Sequence, residues 1–339
     1  MRNGIVSMGT WLVDMVKFIA RYPLPGNLTT IEKEEIGLGG CSHNVLVDLA
    51  KMKTGLPLYA GGCIGDDANG DYIIREITAN NIDASNMLRI EGGVTSYTYV
   101  MAPVDGSSRT FFHYKGTNAL LNASHFEPVN VPAKIFHLGY LLLLDGLEVE
   151  DANYKIVAAK ILHKLQQKGY LTSVDVVSEE SDRFRRIILP CLRYVNYLII
   201  NEVEAGACFG DSMRGQDGKI RIDNIAQAAG FLLDQGVNDV CVIHFPEGAY
   251  ARNKKGETVF VPSIPLKGDA IVSTVGAGDA FCAGMLYALH EQMPLHDALV
   301  FANASARFNL RHATCTGGAP TLKEIEEFIK NYDYPQNDL

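Results

Sequence analysis

The sequence lacks the signatures of several protein classes. Its seven cysteines, Cys41, Cys63, Cys191, Cys208, Cys241, Cys282 and Cys315, include no Cys-x-x-Cys pair, and their number is odd. This excludes a disulfide frame or a zinc knuckle and points to reduced, buried thiols serving as small core residues. The longest purely aliphatic run, Leu141–Leu144, is far below the ~20 residues that span a bilayer. The N-terminal residues carry no apolar signal segment. The expectation is a cytoplasmic protein without a membrane partner. Basic residues are in deficit, 30 Lys and Arg against 39 Asp and Glu, for a formal charge of −9. That balance argues against a nucleic-acid partner. It leaves small anionic substrates open, because local donors hold those.

What is present describes a globular chain. The 339 residues are 47% hydrophobic, which excludes intrinsic disorder. Ile5–Gly9 reads as a first strand and Leu58–Cys63 as another. Helices are expected over Val45–Met52 and Asp71–Asn80. Pro23, Pro25 and Gly26 mark turns between 11 and 36. Thr95–Ala102 and Arg109–Tyr114 are β-prone and flank the turn chemistry of 103–108, a hairpin signal. Further on, strands at Ile135–Leu138, Leu171–Val177, Tyr197–Ile200 and Val240–His244 alternate with helices at Ala152–Lys168, near Val203 and at Ile225–Gln235. That alternation predicts a doubly wound, mostly parallel sheet with helices on both faces. We expect one α/β domain over 1–330, a small β lid from about 11–36 and 95–115, and a tail at 331–339.

Four segments carry polar groups suited to chemistry. Ser273-Thr274-Val275-Gly276-Ala277-Gly278-Asp279 opens a helix marked by Phe281, Met285 and Leu289. Glycines there let backbone amides approach a ligand, and a helix N-terminus favours an anion in transit. Asp279 can accept a hydroxyl proton; the bland alternative is a helix cap. Gly39-Gly40-Cys41-Ser42-His43-Asn44 can lay a polyol against the backbone, with Asn44 both donor and acceptor; alternatively it is a capped turn. The Gly-x-Gly-x-x-Gly fingerprint of a dinucleotide fold is absent, which removes a nicotinamide dehydrogenase. Asn201-Glu202-Val203-Glu204 after a strand can hold hydrated Mg²⁺ and phosphates, or simply cap a helix. Asp14, after the first strand, can bind two hydroxyls or sit in a surface loop.

In this order the segments resemble the ribokinase-like (PfkB) family of carbohydrate and nucleoside kinases, over Gly4 to about Ile329. Gly65-Asp66-Asp67 with Gly70 supports the match. The resemblance implies ATP and Mg²⁺ as cofactors and Asp279 as catalytic base. Gly276, Ala277 and Gly278 would form the anion hole. Asp14, Gly39, Gly40, Asn44 and Glu148 would contact a sugar. Asn201, Glu204, Thr274, Gly248 and Asn303 would serve the nucleotide, with Glu204 reaching Mg²⁺ through water. Ser273 stands where the family often has Asp, which argues against K⁺ activation. His244-Phe245-Pro246-Glu247 replaces the family's usual Leu-Gly before Gly248-Ala249. Cys41 and His43 are unusual in the sugar loop, and His43 reads as a packing or hydrogen-bonding residue.

The expected activity is ATP-dependent phosphorylation of a primary hydroxyl on a small sugar or polyol, by a homodimer joined through its lids. The same-fold alternative is a nucleoside kinase, left open by Tyr97, Tyr99, Phe111 and Phe112. The alternative from another class is a non-catalytic sugar-binding protein on the same scaffold, against which Asp279 and its loop argue.

Overall fold

Strand β1 (Ile5–Gly9) is buried on both sides and occupies an interior position of the main sheet. The computed structural model describes residues 2–105, 108–179, 181–266 and 270–332. Residues 333–339 of the expected tail and 106–107 of the 103–108 turn therefore lie outside the described residues, while Asn331, placed in that tail, ends the last helix. After β1 the chain leaves for a separate sheet through β2 (Leu12–Ile19) and β3 (Ile31–Gly39). It returns through α1 (Cys41–Lys51), β4 (Leu58–Gly65), α2 (Ala68–Ala79) and β5 (Asp83–Ile90). A second excursion, β6 (Tyr97–Pro103) and β7 (Thr110–Tyr114), precedes α3 (Ala123–Phe126) and β8 (Ile135–Leu141). A ribbon of β9 (Glu150–Asp151) and β10 (Lys155–Ile156) leads to α4 (Val157–Gln167), β11 (Leu171–Val176), α5 (Phe184–Cys191), β12 (Tyr197–Asn201), α6 (Glu202–Phe209) and α7 (Ile222–Asp234). Then come β13 (Val240–Phe245), β14 (Gly248–Asn253), β15 (Thr258–Pro262), α8 (Ala277–His290), α9 (Leu295–Asn309) and α10 (Leu322–Asn331).

The main sheet runs β15-β14-β13-β12-β11-β8-β1-β4-β5. Its strands from β13 to β5 are parallel, while β14 and β15 form an antiparallel edge. Alternation along each strand divides the core in two. Val6, Phe136, Leu198 and Ile243 pack with α4 to α7, and Ile5, Ile135, Ile199 and Val242 pack with α1, α2, α8 and α9. Period-two side chains thus bury both faces, as parallel sheets require. Strand order reverses at β1, whose neighbours are β4 and β8. In open α/β sheets the crevice beyond the carboxyl ends of such strands is where ligands bind.

The lid is a four-stranded sheet, β3-β2-β6-β7, with β2 parallel to β6. The two excursions pair as expected. Asp67 ties the lid to the body: it caps α2 through Gly70 N–H at 2.8 Å and accepts the Thr95 N–H at 2.8 Å.

Three expectations change. The first lid segment runs past the expected 36, since residues 37–39 belong to β3, with Gly37 opposite Asp14. Helix α1 starts at Cys41 instead of Val45, because Gly40 (φ 92) caps it and Thr10 Oγ accepts the Cys41 N–H at 3.2 Å. Residues 152–156 are not helical. Asp151 accepts the N–H groups of Asn153 and Tyr154, turning the chain into the β9–β10 ribbon before α4 begins. No helix among the described residues is long and apolar enough to cross a membrane.

Candidate active site

The start of α8 is built by Gly276, which sits at φ 78 where a side chain would strike the Cys315 carbonyl. Only glycine combines that conformation with so close an approach. The turn sends the Ala277 N–H back to Thr274 C=O at 3.3 Å, and the first intrahelical bond is Ala280 N–H to Gly276 C=O. The amides that precede that bond, Gly278 and Asp279, are left for an external acceptor. Of the residues expected to form the anion hole, Ala277 has its N–H engaged within the turn, while the Gly278 N–H precedes the first intrahelical bond.

Asp279 is the third residue of α8, 5% exposed, and makes no capping bond. Its Oδ2 accepts from Asn44 Nδ2 at 2.7 Å and Tyr140 Oη at 3.2 Å. Burial raises its carboxyl above the ordinary range, opposed by the bonds from Asn44, Tyr140 and Cys41. Asn44, expected to meet a hydroxyl, holds this carboxylate, its own Oδ1 lying 2.8 Å from His43 Nδ1. His43 packs edge-on to Trp11, centroids 6.1 Å apart, and burial lowers its pKa to about 4. It is the packing and hydrogen-bonding residue the sequence suggested.

Asp14 lies within β2, not in a surface loop, opposite Gly37 and Thr98. Burial lifts its pKa to about 6, partly offset by the Thr98 hydroxyl and reinforced by Asp279. Gly39 leaves room for the Asp14 carboxylate, and Gly40 follows at the head of α1. Asp14, Gly39, Gly40 and Asn44 thus converge on the lid side of Asp279.

On the other side lies a cavity of about 260 Å³, lined by residues including Tyr140, Asp175, Ser178, Asn201, Glu204, Gly276, Gly278 and Asp279. Asn201 and Glu204 form a reciprocal cap on α6: Asn201 Oδ1 accepts the Glu204 N–H at 2.9 Å, and Glu204 Oε2 accepts the Asn201 N–H at 2.9 Å. Ser178 Oγ donates to Glu204 Oε1 at 2.9 Å. Burial drives Glu204 up to about 7, and burial with the charge of Asp279 raises Asp175. The described lining thus carries three buried carboxyls and neither Lys nor Arg. Such an oxygen-rich, cation-poor wall suits a hard divalent ion such as Mg²⁺. A phosphate chain beside these carboxyls would require the charge.

A second cavity of about 630 Å³ shares Asn201, His244 and Gly278 with the first. Its walls are mostly apolar, among them Phe245, Ile264, Phe281 and Leu310, with Thr274 and Asn303 at hand. Asn303 Nδ2 donates to the carbonyls of Val261 and Pro262, both at 3.3 Å. The His244 ring lies 4.9 Å from that of Phe281 and is held neutral by burial, its pKa about 4. The residues that replace the family's Leu-Gly thus form a wall of this groove.

Two expected contacts are not brought to the site. Gly248 starts β14 and packs against the Phe260 ring. Glu148 lines neither cavity: its Oε1 accepts the Leu144 N–H and its Oε2 pairs with Arg183 Nη1 at 2.5 Å. Sequence reasoning missed Tyr140 and Asp175. Their only signal was position at the ends of the strands β8 and β11. Cys41 is more than a small core residue, since its Sγ donates to Asp175 Oδ2 at 2.7 Å. Ser273 is buried, its Oγ accepting the Val275 N–H at 3.2 Å. A larger cavity, about 820 Å³, opens between the β9–β10 ribbon and α5 and contains none of these groups. Volume alone does not locate the site.

Comparison with known proteins identifies the family and the fold. Residues 3–322 match the model of the pfkB family carbohydrate kinase. The 5-dehydro-2-deoxygluconokinase of Geobacillus kaustophilus is 26% identical over 304 residues, covering 87% of this chain and 85% of that protein. The ribokinase of Schizosaccharomyces pombe is 24% identical over 328 residues, covering 95% and 96%. The structure of Arabidopsis thaliana ribokinase complexed with ribose and ATP superposes with a TM-score of 0.78 at 20% identity, covering 98% of this chain and all of that one. The fold is that of the ribokinases.

Proposed function

The chain belongs to the pfkB family of carbohydrate kinases, and from that premise we propose that it transfers the γ-phosphoryl group of ATP to a primary hydroxyl of a small sugar or sugar-like polyol. The observation that carries this reading is Asp279. Its carboxylate is buried, free of any capping duty, and stands beside the open amides of Gly278 and Asp279 where the polar and apolar cavities meet.

The sugar lies on the lid side, its hydroxyls meeting Asp14 and the backbone at Gly39 and Gly40. Asn44 and Tyr140 hold the Asp279 carboxylate toward the reactive hydroxyl. That hydroxyl's oxygen forms a bond to the γ-phosphorus while the bond to the β–γ bridging oxygen breaks, and ADP departs. The hydroxyl proton goes to Asp279. The amides of Gly278 and Asp279 stabilise charge on the transferring group. Positioning and electrostatics dominate such chemistry. The adenine lies in the 630 Å³ groove near Asn303 and Thr274. Glu204 would hold Mg²⁺ through water, and the ion would supply the positive charge that the phosphates need beside the buried carboxyls.

The lid strands leave Ile36, Tyr99, Phe111, Phe112 and Tyr114 exposed. A homodimer that packs two lids together covers such residues.

The test is ADP release on a panel of pentoses, hexoses, keto-deoxy acids and nucleosides, with Mg²⁺ and ATP. A sugar or sugar acid giving much the highest kcat/KM supports the reading. Preference for a nucleoside would reassign the acceptor, and turnover with none would leave a binding protein on this scaffold.

A further inference from the structure

Beside Asp279 lies a group of potential metal ligands, of which Cys41 also bonds that carboxylate. One ligand atom each from Cys41, His137 and Asp175 lies within 4.8 Å of the others, and all three residues are buried. Cys41 Sγ is 3.3 Å from His137 Nε2 and 2.7 Å from Asp175 Oδ2. Cys282 Sγ, from α8, lies 3.9 Å from the same His137 nitrogen. The four come from α1, β8, β11 and α8, which no local sequence spacing connects.

Two features distinguish this group from thiols merely filling the core. Both the imidazole and the carboxylate are oriented from behind, as metal ligands usually are. His137 Nδ1 lies 3.1 Å from Ser173 Oγ, so a hydroxyl fixes the ring and leaves Nε2 facing the two sulfurs. Asp175 Oδ1 accepts the Tyr140 N–H at 2.7 Å, which leaves Oδ2 toward Cys41. The second feature is access. Asp175 and Cys282 belong to the wall of the 260 Å³ cavity, which gives an ion a route to an otherwise closed cluster.

We propose that Cys41, His137, Asp175 and Cys282 form a binding site for a soft divalent cation, Zn²⁺ by preference. Cys41, His137 and Asp175 already place a sulfur, a nitrogen and an oxygen around one point, and a small shift of the Cys282 side chain, now 3.9 Å from the imidazole, adds the second sulfur of a closed, structural zinc set. Mg²⁺ is excluded by the sulfurs and belongs with the oxygen ligands of Glu204. Binding converts thiols to thiolates, and the protons they lose go to solvent. Because the site forms only when four separate elements are folded together, the ion stabilises the native chain.

The experiment uses the full chain, stripped of metal, without nucleotide. Zn²⁺ is titrated against a chromophoric chelator, and Co²⁺ is added separately to read thiolate ligation from its sulfur-to-metal charge-transfer band. The expected result is one Zn²⁺ per chain, a thiolate band with Co²⁺, and a higher melting temperature with Zn²⁺. Cys41→Ser and Cys282→Ser should each weaken Zn²⁺ at least about tenfold and diminish the band. Cys315→Ser should leave both unchanged, which separates this cluster from the more accessible cysteine. Absence of the thiolate band in the wild-type protein overturns the proposal without recourse to any variant. So does Zn²⁺ binding that survives Cys41→Ser together with Cys282→Ser in a variant whose circular dichroism remains native.

Discussion

Replacing Asp279 by Asn distinguishes a base from a structural carboxylate. The substitution keeps the size and one acceptor oxygen, so Asn44 Nδ2 and Tyr140 Oη retain a partner where they now meet Oδ2. No helix cap is lost, because Asp279 makes none. Burial already disfavours the charged form, so removing the charge should leave the melting temperature equal or raise it. The chemistry should fare differently. General-base assistance is typically worth ~10²–10⁴-fold, or roughly 2.7–5.4 kcal/mol at 1.36 kcal/mol per tenfold. We expect kcat to fall by at least ~10², with KM for both substrates within a few-fold, because the interaction lost belongs to the transition state. ADP release by the purified variant, on whichever acceptor the panel identifies, gives the number. A kcat within a few-fold of wild type, in a variant with native circular dichroism, would refute the assignment of Asp279.

Tyr140→Phe removes one bond that holds the Asp279 carboxylate low, so the acid limb of the kcat profile should move to higher pH, and kcat should drop by about three- to tenfold; an unmoved limb would remove Tyr140 from the site. Glu204 provides a stability test. Its folded pKa, about 7, lies above the ordinary 4.5, so between those values the folded state binds the extra proton. Ligand-free stability should therefore fall as pH rises from about 4.5 to 7, and Glu204→Gln, which preserves the α6 cap, should flatten that slope in thermal melts; an equal slope in the variant would contradict it. Ser273 offers a neutral hydroxyl in place of a carboxylate, so turnover should be nearly equal in matched K⁺ and tetramethylammonium buffers; a strong rise with K⁺ would refute that. Sedimentation at micromolar concentration should give a dimer, converted to monomer by Ile36→Glu with Phe112→Glu; a wild-type monomer would end the lid-dimer reading.

The strand–helix alternation, the separate lid segments and the Gly-rich turn into α8 were legible without coordinates. Each is local: period-two burial marks a strand, and a glycine at positive φ before a helix marks a turn that only glycine accepts. Asp279, Asn201 and Glu204 were legible for the same reason, since helix N-termini have recognisable chemistry. Local pattern failed where a side chain overrode propensity, as when Asp151 turned residues 152–156 into a ribbon; the β14–β15 hairpin went unread although its pairing is local.

The sequence alone determined which residues could take a proton or face a phosphate. Tertiary structure decided which of them meet. Asn44 and Asp279 are 235 positions apart, yet share a hydrogen bond, because α1 and α8 pack side by side on one face of the sheet. Glu148, named from its place after a leucine run, was withdrawn by Arg183 and a backbone amide. Tyr140, Asp175 and the cluster of Cys41, His137 and Cys282 had no sequence signature. They converge because β8 and β11 are adjacent in the sheet and their carboxyl ends open beneath α1 and α8. Contacts of that kind depend on strand order, which is set by the packing of both cores and not by any residue's neighbours along the chain.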